Sequence, residues 1–181
     1  DMRIQFDKAA LLIVDVQDSL LPYIHQAEQM HAKVLWLCKL AEYLKLPTVI
    51  SEHCVDKIGG TNQAVSAAAA GAQVFQKRSF SAVRDGLVER TLLKDKAHVI
   101  VCGMESHVCV LQTCLDLLAK GKTVYLVRDA VSSRKRSNIK LAMARLRQAG
   151  AIVVSTEMVA FELMASADHP SFSSVLKQLI K

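Results

Sequence analysis

Six short apolar runs that do not alternate with polar residues constrain this chain more than any other feature. They fall at 9–14, 48–50, 74–75, 98–102, 124–127 and 152–154. A strand with one wet face alternates apolar and polar side chains, whereas a strand covered on both faces does not. The runs therefore predict strands buried on both sides, which is the arrangement of a parallel sheet.

Segments of helical period separate the runs, at 27–44, 62–70, 84–93, 106–120 and 135–149, and two more close the chain at 158–165 and 171–180. In the fourth, Val108, Leu111, Leu115 and Leu118 recur three and four residues apart, and Gly121 stops the pattern. Strand and helix in alternation predict an α/β fold, a Rossmann-like three-layer α/β/α arrangement on a six-stranded parallel sheet. The chain has 181 residues, 51% hydrophobic and 22% charged, which suits one domain over 1–181 and excludes a disordered chain.

Lys plus Arg (23) exceeds Asp plus Glu (17) by 6, a mild excess that selects no partner by itself. Five cysteines, Cys38, Cys54, Cys102, Cys109 and Cys114, show no CxxC and no regular spacing. They indicate neither a disulfide framework nor a cysteine-rich zinc site. The first apolar run is far shorter than the ~20 residues of a membrane span, and no secretory h-region precedes it. The expectation is an intracellular protein, cytoplasmic or mitochondrial, with no membrane association.

In an open parallel sheet, ligands sit beyond the carboxyl ends of the strands. That rule selects Asp15, Gln17, Glu52, His53, Lys77, the turn from Gly103 to Cys109, and Asp129. The turn would place Cys109 in the first turn of the fourth helix, where unpaired N–H groups and the helix dipole favour a thiolate or an oxyanion. A small apolar residue packing that helix on the sheet is the plain alternative, and on position alone the two readings stand level. Asp15 supplies a carboxylate and Lys77 a cation at the same sheet edge, although a salt bridge would also account for both. The first turn holds no GxGxxG, so no dinucleotide fingerprint is present.

Asp15-Val16-Gln17 after an apolar strand, Lys77-Arg78-Ser79-Phe80-Ser81-Ala82, and Cys102-Gly103-Met104-Glu105-Ser106-His107-Val108-Cys109-Val110 followed by Asp129-Ala130 resemble the isochorismatase-like cysteine hydrolases. The resemblance runs from about Leu11 to Thr156 and is nearest to the isochorismatase-domain-containing proteins of eukaryotes. Some of those carry a mitochondria-associated ribonuclease label, for which these motifs offer no chemical basis. The resemblance implies an Asp15–Lys77–Cys109 triad that cleaves a C–N or related bond of a small molecule through a thioester. It also implies an oxyanion hole of the Glu105 and Cys109 backbone N–H groups, and a non-proline cis peptide at Met104–Glu105. No cofactor is implied. Gln17, Glu52, His53, Phe80 and Ser106 are the candidate pocket residues. Members of that family commonly associate through helices beside the site, so the resemblance also implies a homo-oligomer, a dimer, a tetramer or larger.

Two departures bear on these expectations. Nicotinamidase relatives carry an Asp-x-His metal arm plus another His, whereas this chain has Ser51-Glu52-His53 and no evident third ligand, so no metal is expected. The family's Thr three residues after the turn glycine is Ser106, which keeps a hydroxyl to cap the helix. The cluster Arg134, Lys135, Arg136, Lys140, Arg145 and Arg147 lacks aromatic platforms for bases. With Ile139, Leu141, Met143 and Leu146 turned to the sheet, it reads as a solvated basic helix face. An RNA-binding or ribonuclease-type protein using 134–147, and a family member without activity, are the alternatives.

Overall fold

The computed structural model describes residues 1–181. Six strands, β1 (Ala9–Val14), β2 (Thr48–His53), β3 (Gln73–Lys77), β4 (His98–Met104), β5 (Thr123–Ser132) and β6 (Ile152–Val154), form one sheet in the order 3-2-1-4-5-6. Every neighbouring pair is parallel. The helices are α1 (Ala27–Leu44), α2 (Val55–Ile58), α3 (Gln63–Ala68), α4 (Leu87–Arg90), α5 (Cys109–Ala119), α6 (Arg136–Ala149), α7 (Thr156–Met164) and α8 (Phe172–Val175). None is long and apolar enough to cross a membrane.

The pleat of β1 explains the layers. All six of its residues are buried. Leu11 and Ile13 turn to one face, in a cluster with Val34, Leu37 and Leu40 of α1 and Val159 and Leu163 of α7. Leu12 and Val14 turn to the other, with Val110, Cys114 and Leu117 of α5 and Ile139 and Leu146 of α6. Each such side chain contributes roughly 1.5–3 kcal/mol of burial, so a polar residue on either face would be costly. The result is the three-layer α/β/α fold that the uninterrupted runs predict.

Several elements differ from expectation. The segment 84–93 is not one helix: Gly86, at φ 101°, and the extended Thr91 break it into a turn at Val83–Asp85, α4, and a turn at Leu92–Asp95. The helix expected from residue 106 starts at Cys109, with Val108 at its N-cap and no capping side chain. The Ser106 hydroxyl is buried without a partner, so it does not cap. Leu141 is 62% exposed on α6, off the sheet-facing stripe. The final helix shortens to α8 and then widens to a π turn at Leu176–Ile180.

β5 runs past its apolar core because it bulges. Val101 of β4 pairs with Leu126 and Gly103 with Val131, so Cys102 faces four residues, Val127 to Ala130. The bulge pushes Arg128 outward to solvent. Gly103 lies at the centre of the sheet, at φ 116°, where an added Cβ would stand 2.1 Å from the Val14 carbonyl oxygen. Only glycine allows β4 to pass β1 at that point. We expect Gly103→Ala to destabilise the fold by ~3 kcal/mol or more, measured by urea unfolding, with the site below collapsing alongside.

Candidate active site

Asp15 follows β1 in the left-handed region, at φ 49°, a conformation that Asp tolerates better than most residues. The kink ends the strand and leaves the carboxylate buried, 2% exposed. Ser51 of β2 holds it: the Ser51 hydroxyl donates to Asp15 Oδ1 at 2.7 Å, and the Asp15 N–H donates to the Ser51 carbonyl at 3.1 Å. The other oxygen, Oδ2, forms an ion pair with Lys77 Nζ at 2.8 Å. That contact is off hydrogen-bond alignment, so a lone pair on Oδ2 remains available.

Lys77 ends β3, two strands away from Asp15. Its ammonium is fully buried and meets four groups: Asp15, His53 Nδ1 at 2.9 Å, the Ser79 carbonyl at 3.1 Å and Cys109 Sγ at 3.4 Å. The loop after β3 is pinned by Asp85, which accepts from the Arg78 and Ser79 N–H groups and the Ser79 hydroxyl. Those bonds hold the Asp85 carboxyl at about 2. The Ala82 N–H donates to Thr113 Oγ1, tying the same loop to α5.

His53 is held below its ordinary pKa, by burial first and the Lys77 ammonium second. A neutral ring accepts from Lys77 at Nδ1 and keeps its proton at Nε2, facing Cys54 Sγ at 3.4 Å. Phe80, half exposed, stacks on this ring with centroids 5.7 Å apart.

Cys109 opens α5 and is 7% exposed. Its thiol is pushed up from the ordinary value near 9 to about 12, by burial above all and then by the Asp15 carboxylate, with Lys77 pulling the other way. The dipole argument for a lowered value is therefore overridden: a second anion beside Asp15 would leave two negative charges on one cation. Cys109 rests as a protonated thiol next to a carboxylate. The peptide Met104–Glu105 is cis, as expected. The N–H groups of Glu105 and Cys109 make no hydrogen bond within the chain. The Glu105 side chain turns away to Arg134, accepting from its N–H at 2.9 Å and its Nε at 3.0 Å.

The remaining candidates brace loops. Gln17 is fully buried, donating to the carbonyls of His53 and Gly59 and accepting from the His53 N–H. Glu52 accepts from the N–H and hydroxyl of Thr61. These two shape the 54–62 loop rather than present groups to a ligand. Ser51 and Asp85 also hold the cluster, and neither stands among the candidates that the strand-end rule selects. Ser51 pairs with Val14 in register and so shares the sheet edge of Asp15, a signal that strand pairing carries.

Asp15, His53 and Cys109 offer three donor atoms within 4.8 Å of one another, the makings of a metal site. The Lys77 ammonium is already at contact distance from all three. Glu52 points to Thr61, so 51–53 does not form a metal arm, and the donors fit the ammonium rather than an added ion.

The isochorismatase domain profile matches residues 9–158. A secreted isochorismatase effector of Phytophthora sojae is 37% identical over 179 residues, spanning 96% of this chain and 84% of that protein. The structure of MAR1 ribonuclease from Caenorhabditis elegans superposes with a TM-score of 0.92 at 34% identity, over 99% of this chain and 93% of the other. YcaC of Escherichia coli, described as an octameric hydrolase of unknown specificity, superposes with a TM-score of 0.89 at 25% identity, over 98% and 91%.

With the Cys109 thiol at about 12, its thiolate fraction at neutral pH is small and grows about tenfold per pH unit. Iodoacetamide labelling of Cys109, followed by mass spectrometry, should therefore accelerate from pH 7 to 9 without levelling. A plateau below pH 8 would show the thiolate to be the resting form instead.

Proposed function

Because this chain belongs to the isochorismatase family, we propose that it is a cysteine hydrolase, one domain over 1–181, that cleaves a C–N bond of an amide or related small molecule. The Lys77 ammonium carries this reading: it is buried between a carboxylate at 2.8 Å and a thiol at 3.4 Å, where a structural salt bridge has no need of the sulfur.

Attack begins from the neutral thiol. As Cys109 Sγ bonds to the carbonyl carbon, its proton passes to Asp15, so no thiolate accumulates in the free site. Lys77 offsets the negative charge as it moves from carboxylate to sulfur and then to the carbonyl oxygen. The N–H groups of Glu105 and Cys109, unused within the chain, receive that oxyanion. Asp15 returns the proton to the leaving amine as the C–N bond breaks and the thioester forms. A water gives a proton to Asp15 as its oxygen adds to the thioester carbon. The C–S bond then breaks, the carboxylic acid leaves, and Asp15 returns the proton to the Cys109 sulfur, restoring the thiol and the carboxylate. His53 keeps Lys77 aimed by accepting one of its protons. No step calls on a cofactor. The octameric E. coli relative supports a homo-oligomer.

A second reading, cleavage of RNA, is favoured by the ribonuclease description of the C. elegans relative and by the exposed Arg136, Lys140, Arg145 and Arg147 of α6. It predicts salt-sensitive RNA cleavage that survives Cys109→Ala.

A panel of amides, ureides and enol ethers on the wild type and Cys109→Ala separates the readings. We expect turnover of at least one C–N substrate, lowered ~1000-fold or more in Cys109→Ala while the fold is kept. Undiminished activity in that variant, or RNA as the only substrate, would overturn the hydrolase assignment.

A further inference from the structure

A concave site lined by none of Asp15, His53, Lys77 and Cys109 lies elsewhere on the molecule. A cavity of about 460 Å³ opens between the start of α1, the outward bulge of β5 and the first turn of α6. Its charged and titratable lining is His25, Lys33, Arg128, Asp129 and Arg136. The one acid is committed: Asp129 accepts from the N–H and hydroxyl of Thr156 at 3.0 and 2.8 Å, and Lys33 reaches it only at 3.9 Å. The Arg128 and Arg136 guanidinium groups make no ion pair or hydrogen bond, and neither does the His25 ring.

α6 adds to the imbalance. Its first turn contains no acid, its N-cap Lys135 provides no capping side chain, and the N–H groups of Arg136 and Ser137 donate to nothing in the chain. The positive end of a 14-residue helix thus faces a concave wall that already carries unpaired cations. Convergent cations repel one another unless an anion joins them. The bulge matters here, since a regular β5 would not carry Arg128 to this wall.

We propose that this cavity is a binding site for a small phosphorylated molecule, with the phosphate held between Arg128, Arg136 and the first turn of α6. Two guanidinium forks and free backbone N–H groups match a tetrahedral dianion. The volume suits a small ligand, and the Gln26 and Gln29 amides stand beside it for the unphosphorylated part.

The test uses the whole chain with inorganic phosphate and pyrophosphate as probes, against chloride at matched ionic strength. Calorimetric titration of the wild type should show saturable phosphate and pyrophosphate binding, absent with chloride. Arg128→Gln/Arg136→Gln, two exposed positions, should weaken it ~10-fold or more with the circular dichroism spectrum unchanged. Cys109→Ala should bind as the wild type does. Equal response to chloride, full binding in the double variant, or loss of binding in Cys109→Ala would each overturn the proposal. So would tight binding of single-stranded RNA with no binding of either probe, which would make this face a polyanion surface.

Discussion

A lysine ammonium with no exposed surface is the constraint around which the rest of the molecule is arranged. Removing a charge from water costs several kcal/mol per ion, and only close partners with good geometry offset it. Lys77 has a carboxylate, an imidazole nitrogen and a carbonyl around it, and each of these is held by something else. Ser51 fixes Asp15, Gln17 fixes the backbone of His53, and Asp85 fixes Ser79. The polar residues at this edge of the sheet form a supporting frame for one cation, and the thiol of Cys109 occupies the remaining side.

Topology makes that convergence possible. In the order 3-2-1-4-5-6 the chain leaves β1 toward one edge and later resumes at β4 on the other side of it, so the ends of β1 and β4 frame a gap that no connection crosses. Asp15 and Cys109 stand on either side of this gap, and Lys77 reaches in from two strands away. Gly103 sets the width of the gap, since any side chain there would collide with Val14.

The sheet was legible in the amino-acid sequence because strands buried on both faces leave unbroken apolar runs. Even so, β3 showed only Val74 and Phe75, since an outer strand exposes Gln73, Val74 and Gln76. The residues of the buried cluster were legible by position, at the ends of strands, whereas their surroundings were not. Helix-end reasoning favoured an acidic thiol at Cys109, and burial beside Asp15 outweighs it. Gln17 and Glu52 read as pocket groups because a strand-end side chain carries no mark of which way it turns; both turn inward to hold backbone. Ser106 read as a cap until the helix began three residues later.

β3 is one of the two edge strands and is joined to the sheet only through β2. Outer strands part from a sheet at lower free energy than central ones, in excursions far short of global unfolding. When β3 opens, the ammonium leaves with it, while β1 and β4 stay paired and the thiol stays beside its carboxylate. A molecule in that state would look folded to any probe of its core, yet under the proposed mechanism it would lack the cation that attack requires. If Lys77 acts as proposed, the share of competent molecules depends on how firmly this one five-residue strand is held, as well as on the stability of the whole.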